Sequence, residues 1–466
     1  MKSLHVCIPV AVLLMATALP SRAALFTWTN AIGGDWSSPV NWSPNAVPGL
    51  GDDALITGSD TYSVTLYASV TVNSLTLGGG SGQQSLSTYG TLTLNSASVV
   101  NTNGFLALSY GGSLSGGGLL TVNGQLTWTS GSIASGSTLA IATNGVLALA
   151  GINGYNYACS GILTNAGTVQ LQSGNLELVS GQLVNLPGAL VDLQGDVSIT
   201  WTAGTELIVN EGTVRKSGGA GVSDIYPIFN NAGTLEAQSG TLQLIGASSG
   251  AGAGLFTAEA GATLAFGNGY TVGSGGQVTG TGTNLLNGGT VTVNGTVTAS
   301  NLVLAGATLG GTSGVIMGGM TWTSGSIAGG STLTLATNGV LALAGINGYN
   351  YACSGILTNA GTVQLQSGNL ELVSGQLVNL PGALVDLQGD VSIIWVAGTE
   401  VIVNEGTVRK SGGAGVSDIY PIFDNAGTLE AQSGTLQLIG AASGTGAGLF
   451  TAEAGATLAF GNGYTV

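Results

Sequence analysis

The mature part of the chain has few residues able to do chemistry, and they recur in pairs. Arg215-Lys216 precedes a glycine-rich loop that leads to Asp224 and Tyr226. Arg409-Lys410 precedes the same loop leading to Asp418 and Tyr420. A cation, a carboxylate and an aromatic ring in one loop would suit a glycan-binding patch. With a Lys or Arg base they would also suit a polysaccharide lyase or glycosidase. The plainer expectation is a solvated turn whose basic pair offsets nearby acids.

Asp192 and Asp196 flank Leu193-Gln194-Gly195. Two carboxylates so placed could offer oxygen ligands to calcium or serve glycoside hydrolysis. The competing expectation is an outward acidic face that keeps the chain soluble. Tyr155-Asn156-Tyr157 and the cluster Trp28, Trp36, Trp42 are the aromatic candidates for stacking on sugar rings. Against this, the tyrosines sit in a coil of ordinary length and read as packed. The tryptophans lie among Pro39, Pro44 and Pro48 and read as a cover for an open sheet end.

Other chemistry is excluded. The only histidine is His5, inside a leader-like segment, so the mature chain holds no Ser-His-Asp or Cys-His arrangement and no His-ligated zinc. No P-loop occurs, and the glycine-rich stretches lack the strand–helix setting of a dinucleotide site. No cofactor is expected. Cys159 and Cys353 stand 194 residues apart. On a regular stack that is tens of ångströms, far beyond the ~7 Å limit for a disulfide. They are expected to be separate, inward-facing thiols.

These residues must be positioned by repeats. Residues 126–272 return as 320–466, with Trp128 mapping to Trp322, an offset of 194 residues. The copies differ at about ten positions, such as Thr200 to Ile394, Leu207 to Val401 and Asn230 to Asp424. Within each copy runs a shorter ladder. Asn144, Asn165, Asn185, Asn210 and Asn231 are 21, 20, 25 and 21 residues apart, Asn103 and Asn123 extend it upstream, and Asn338, Asn359, Asn379, Asn404 and Asn425 repeat it. Several open the phrase Asn-(Ala/Glu)-Gly-Thr and then an alternating run such as Thr168-Val169-Gln170-Leu171-Gln172. Alternation is strand periodicity. Asn and Gly tolerate positive φ and so are expected at sharp turns. A turn and short strands every twenty-odd residues describe a coil of a β-solenoid. The fold class expected is all-β, a right-handed parallel β-helix with coils of 20–25 residues and an N-terminal Trp/Pro-rich cap.

The expected organisation is a secretory leader over 1–23, the cap over 24–60, coils over 61–125, a first long repeat over 126–319 with spacer coils at 273–319, and a second, incomplete repeat over 320–466. Lys2, the apolar run around Val10–Leu14 and Ser21-Arg22-Ala23 carry the leader reading, which implies export. The alternating runs are shorter than the roughly 9–11 residues of a membrane-barrel strand. The chain has 466 residues, 6% charged, and a net charge of −15. That balance speaks against nucleic acid and anionic membrane surfaces as partners.

Two phrases carry a resemblance: Gly33-Gly34-Asp35-Trp36 … Asn41-Trp42 … Pro48 … Asp52-Asp53-Ala54, and Asn-Ala-Gly-Thr-(Val/Leu) followed by Ser-Gly-(Asn/Thr)-Leu. With the leader, these make the chain resemble secreted bacterial passenger proteins with autotransporter-associated β-strand repeats, similar in architecture to filamentous-haemagglutinin-type adhesins. The resemblance implies a rod on the cell surface or released from it, presenting repeated weak binding faces to extracellular glycans or cell-surface components, without catalysis. The alternative is a carbohydrate-active enzyme or glycan-binding module on the same fold. Val466 is the counterpart of Val272 and lacks the spacer that follows it. This reads as a cut inside a longer array, and an open end invites end-to-end association of copies.

Overall fold

The computed structural model describes residues 23–465 apart from 203–204, 247–249, 397–398, 441–445 and 462–463. The leader reading falls almost wholly on residues outside this set. The described chain is an all-β parallel solenoid of about 19 coils. It has no α-helix among the described residues, and its one helical turn is the 3-10 segment Pro39–Asn41.

In most coils there are three short strands, each pairing in parallel with the third strand along the chain, so three sheets run along the solenoid; Thr296–Gly310 and Gly314–Ile327 are long strands that each serve all three sheets of a coil. In the first copy the first sheet holds Thr138–Ile141, Ile162–Asn165, Gln182–Asn185, Leu207–Asn210 and Ile228–Asn231. The second holds Val146–Ala150, Thr168–Ser173, Leu190–Leu193, Thr213–Lys216 and Thr234–Ala237. The third holds Asn156–Cys159, Asn175–Leu178, Ile199–Trp201, Val222–Ile225 and Thr241–Leu244.

The alternation sets the core. Leu147, Val169, Val191, Val214 and Leu235 lie in one register column of the second sheet and are all fully buried. Burying such a side chain stabilises by roughly 1.5–3 kcal/mol, and here each does so only against the coils above and below. At about 4.8 Å per coil the rod is on the order of 90 Å long.

The asparagines divide into two kinds, and one corrects the turn reading. Asn144 is exposed in a turn. Asn165, Asn185, Asn210 and Asn231 instead end strands of the first sheet with their side chains buried. Asn165 Nδ2 donates to Asn185 Oδ1 at 2.8 Å, Asn185 to Asn210 at 2.8 Å, and Asn210 to Asn231 at 2.7 Å. The same nitrogens also donate to the carbonyls of Leu190, Thr213 and Thr234. Asn359, Asn379, Asn404 and Asn425 repeat the ladder. None of these asparagines has positive φ. The glycine that follows two residues on is required by close approach: a Cβ on Gly233 would lie 2.1 Å from the carbonyl oxygen of Gly212 in the coil below.

The second copy does not continue on the same sheets as the first. From Asn231 the first-sheet column passes through Gly252, Val272 and Val293. From Val291, two residues earlier in the same strand, it continues through Leu309 and Ile327 to Cys353. Cys353 is the counterpart of Cys159, which sits in the third sheet. The second sheet likewise leads from Val278 to Ala299, and from Val297 in that same strand through Ile316 to the strand that ends at Leu335, and so to Asn359. The offset of 194 residues is therefore not a whole number of coils. The second copy is turned one sheet further round the rod.

Candidate functional site

The duplicated cationic site is held by the second-sheet strands Leu190–Leu193 and Thr213–Lys216 and by the loop at 217–221. Asp192 and Arg215 are register partners on the outward side. Arg215 Nε donates to Asp192 Oδ1 and Nη2 to Oδ2, both at 3.1 Å. Glu236 follows in the same column. Burial alone would raise the Asp192 carboxyl. Hydrogen bonds from Arg215, Ser217 and Gln194, with the guanidinium charge, hold it below the ordinary aspartate value.

Lys216 occupies an inward position, in register with Leu193, and is fully buried. Its Nζ donates to Gly195 O at 2.9 Å, Asp196 Oδ1 at 2.8 Å and Ser223 Oγ at 3.0 Å, which uses all three ammonium protons. The glycines of the loop form a cup around Asp196. A Cβ on Gly219, whose φ is +78°, would lie 2.2 Å from Asp196 Oδ1, and one on Gly221 would lie 2.8 Å from Oδ2. Gly221 N donates to Asp196 Oδ1 at 2.9 Å. The Lys216 hydrogen bond holds the Asp196 carboxyl below its usual range. Arg409, Lys410, Asp386 and Asp390 repeat these contacts at 2.9–3.1 Å.

The structure therefore joins Arg215 to Asp192 and Lys216 to Asp196, and it joins neither cation to Asp224 or Tyr226. Asp224 lies outward on the third sheet, its backbone N–H donating to Ser198 Oγ, and burial raises its carboxyl. Tyr226 is half-buried beyond it. Asp418 and Tyr420 match them. Asp192 and Asp196 do not form a carboxylate pair, because each is committed to its own cation. Among the described residues no group of three or more His, Cys, Asp or Glu side chains converges on a metal-sized site.

The tryptophans correct a second expectation. Trp28, Trp36 and Trp42 are 3%, 1% and 2% exposed and pack edge to face, with centroids 5.1 and 4.8 Å apart. Trp42 Nε1 donates to Trp36 O, and Trp28 Nε1 to Asn30 O, both at 2.8 Å. Rings so enclosed offer no face to a sugar. Leu25–Trp28 pairs antiparallel with Trp42–Ser43, against the parallel rule of the coils. Tyr157 is likewise buried, edge-on to Trp128, and Tyr155 is half-buried beside it. Cys159 and Cys353 are buried free thiols, and burial raises them to about 11 and about 12.

Two features escaped the sequence reading. Glu206 is buried and accepts from Ser180 N, Thr202 Oγ1 and Thr205 N, and Glu400 stands in its place in the second copy. Tyr67, Tyr89 and Tyr110 form a stacked column on the surface. Their spacings of 22 and 21 residues were the available signal.

No protein-family model matches the chain, and no curated protein does. The chain is a β-solenoid repeat protein.

Proposed function

We propose that this chain is a secreted, non-catalytic adhesive rod of the bacterial surface, a right-handed solenoid whose N-terminal tryptophan segment caps the open sheet end, and that it bridges partners instead of gripping one surface. The resemblance to autotransporter-type passengers supports the address. The observation that carries the bridging role is the turn between copies. The outward row Asp192, Arg215, Glu236 lies on the second sheet, and its duplicate Asp386, Arg409, Glu430 lies on the column continued from the third. One outward surface is thus shown in two directions from a single rod, which is valency without a shared plane. A non-catalytic role is supported by the cations. Each of the four among the described residues is held in an ion pair, so none of them is a free lysine or arginine base for lyase chemistry.

The test is agglutination of beads coated with extracellular polysaccharide by the full chain. Clumping that peaks and then falls at excess protein is the expected result. Beads that take up protein and never clump would overturn bridging. Absence of uptake by every cell-surface coating would overturn adhesion. Depolymerisation of a coating that vanishes in the double variant Asp224→Asn, Asp418→Asn would replace this reading with an enzyme.

A further inference from the structure

The tyrosine column lies outside the duplicated unit. Tyr67, Tyr89 and Tyr110 follow consecutive strands of the second sheet, Tyr62–Leu66, Gln84–Thr88 and Gly104–Leu108. Their rings stack with centroids 5.3 Å apart at both steps and planes 30° and 12° from parallel. Tyr67 is 65% exposed and Tyr110 83%. Tyr110 comes one residue later in its coil than Tyr89 does, yet its ring joins the column. It does so from the left-handed backbone region, φ 50°, where a bulky side chain is held only at a cost. Strain that extends an aromatic stack into water marks a site built for contact.

Beyond Tyr110 the stack stops. The next coil places Thr129 and Ser130 at that level, with Ser130 Oγ accepting from Gly111 N at 2.8 Å. The coil after it projects Ile152, 73% exposed, with Tyr155 behind it, whose Oη accepts from Gly131 N at 2.7 Å. Between Tyr110 and Ile152 lies an open cleft of about 680 Å³, within the range of small-ligand sites. Two coil rises, about 9.6 Å, separate its walls. A ring lying midway meets each wall at roughly 4.8 Å, which suits a puckered ring presenting C–H groups better than a thin, flat one. The floor carries the hydroxyl groups of Ser109, Thr129 and Ser130; Thr129 Oγ1 donates to Leu108 O at 3.0 Å, so toward a ligand it can accept, while Ser130 keeps its proton to donate, and no charged side chain lines the cleft.

We propose that this cleft binds a neutral pyranose ring of a polysaccharide, with the apolar face of the sugar on the free face of Tyr110 and its edge hydroxyls toward Thr129 and Ser130. The negative face of an aromatic ring attracts C–H groups, and the uncharged lining selects against uronates and sulfated sugars. The chain carries its own comparison site. Ile346, 74% exposed, and Tyr349, bonded to Gly325 N, repeat the far wall in the second copy. There the tyrosine wall is absent. Leu304 pairs with Trp322 as Leu108 pairs with Trp128, and two residues after Leu304 stands Gly306 in place of Tyr110. Of the two copies of the far wall, only the first therefore faces a tyrosine. The inference rests on the adhesive-rod reading only for the class of ligand.

The experiment titrates the full chain with cellohexaose, mannohexaose, xylohexaose and a hexameric polygalacturonate by calorimetry. At least one neutral hexamer is expected to bind, one per chain, and the uronate is expected not to. Tyr110→Gly suits the left-handed backbone and should leave the circular dichroism unchanged. It should weaken binding at least about tenfold, as should Ile152→Ala, while Ile346→Ala changes nothing. Binding unaffected by Tyr110→Gly, two sites per chain, or preference for the uronate overturns the proposal, as does no binding by any neutral hexamer. If Tyr110→Gly is silent while beads still clump, the cleft is wrong and the rod stands. If Tyr110→Gly abolishes hexamer binding in a chain that never clumps beads, the rod is wrong and the cleft stands.

Discussion

Arg215 and Asp192 face each other across neighbouring coils and share two parallel hydrogen bonds, both 3.1 Å, with the carboxylate almost entirely buried and the guanidinium about one-third exposed. This is the fork geometry that arginine alone provides. Arg215→Ala would leave a buried carboxylate without its cation. It should destabilise the surrounding coils by on the order of 1–3 kcal/mol, and Arg215→Lys should recover only part of the loss. Urea denaturation followed by tryptophan fluorescence checks both. Equal stability of the alanine variant would show that the pair contributes nothing.

Lys216 and Asp196 predict an asymmetric pair of variants. Lys216 stands in a column of inward aliphatic side chains, next to Leu193. Lys216→Leu should therefore be neutral or stabilising, since buried ion pairs are often replaceable by apolar residues. Asp196→Asn leaves the buried ammonium without its counter-charge and should destabilise. Thermal melting of both variants settles the order, and a more damaging leucine than asparagine would refute this account.

Acid should act on the two kinds of aspartate in opposite senses. Asp192 and Asp386 have folded pKa values below their unfolded ones, so their contribution is full above the unfolded value of 3.8 and is lost as pH falls through the folded value. Asp224 and Asp418 are raised by burial, so they oppose folding when ionised and do so less as pH falls through their folded values. Asp224→Asn should stabilise the chain at pH 7 and have little effect at pH 3. A melting series over that range, wild type against variant, gives the sign directly.

The buried amide ladder predicts position-dependent effects of one substitution. Asn210→Ala removes a donor to Asn231 and to Thr234 and orphans the donor of Asn185. The cost should be roughly 1–3 kcal/mol. Asn144→Ala, in an exposed turn, should change stability by no more than about 0.5 kcal/mol. Hydrogen exchange around residues 185–231 would locate the damage, and equal effects at the two sites would refute the distinction.

Both thiols should resist modification in the folded chain. Cys159 and Cys353 are buried and raised to about 11 and about 12, so the thiolate is scarce at neutral pH. A thiol reagent should label them only after denaturant is added. Rapid labelling of the native chain would contradict the inward placement.

Much of the fold was legible because strand alternation is a direct record of which side faces the core. Val169 and Leu171 could be placed inward from the spelling Thr-Val-Gln-Leu-Gln alone. The same rule applied to Thr-Val-Arg-Lys puts Lys216 inward, but its charge argued for solvent, and only the carbonyl, carboxylate and hydroxyl around its ammonium reveal why it is tolerated. Asn144 and Asn165 look alike in sequence, yet one is a turn residue and the other a buried strand end. Spacing cannot separate them while coil lengths vary, as the 25 residues from Asn185 to Asn210 do beside the 20 before them. The tryptophans were ambiguous for a different reason, since the same ring suits a core or a sugar and only enclosure decides. Coil length also hid the turn between the copies.

That turn gives the duplication a heritable consequence. Unequal crossover between the two near-identical copies would lengthen or shorten the chain by 194 residues. Every strand would still meet a partner of the right spelling, because each coil touches only its neighbours. All coils past the join would rotate by one sheet, and only after three such units would the original facing return. A lineage that varies the length of this rod thereby also varies the direction in which its far end looks.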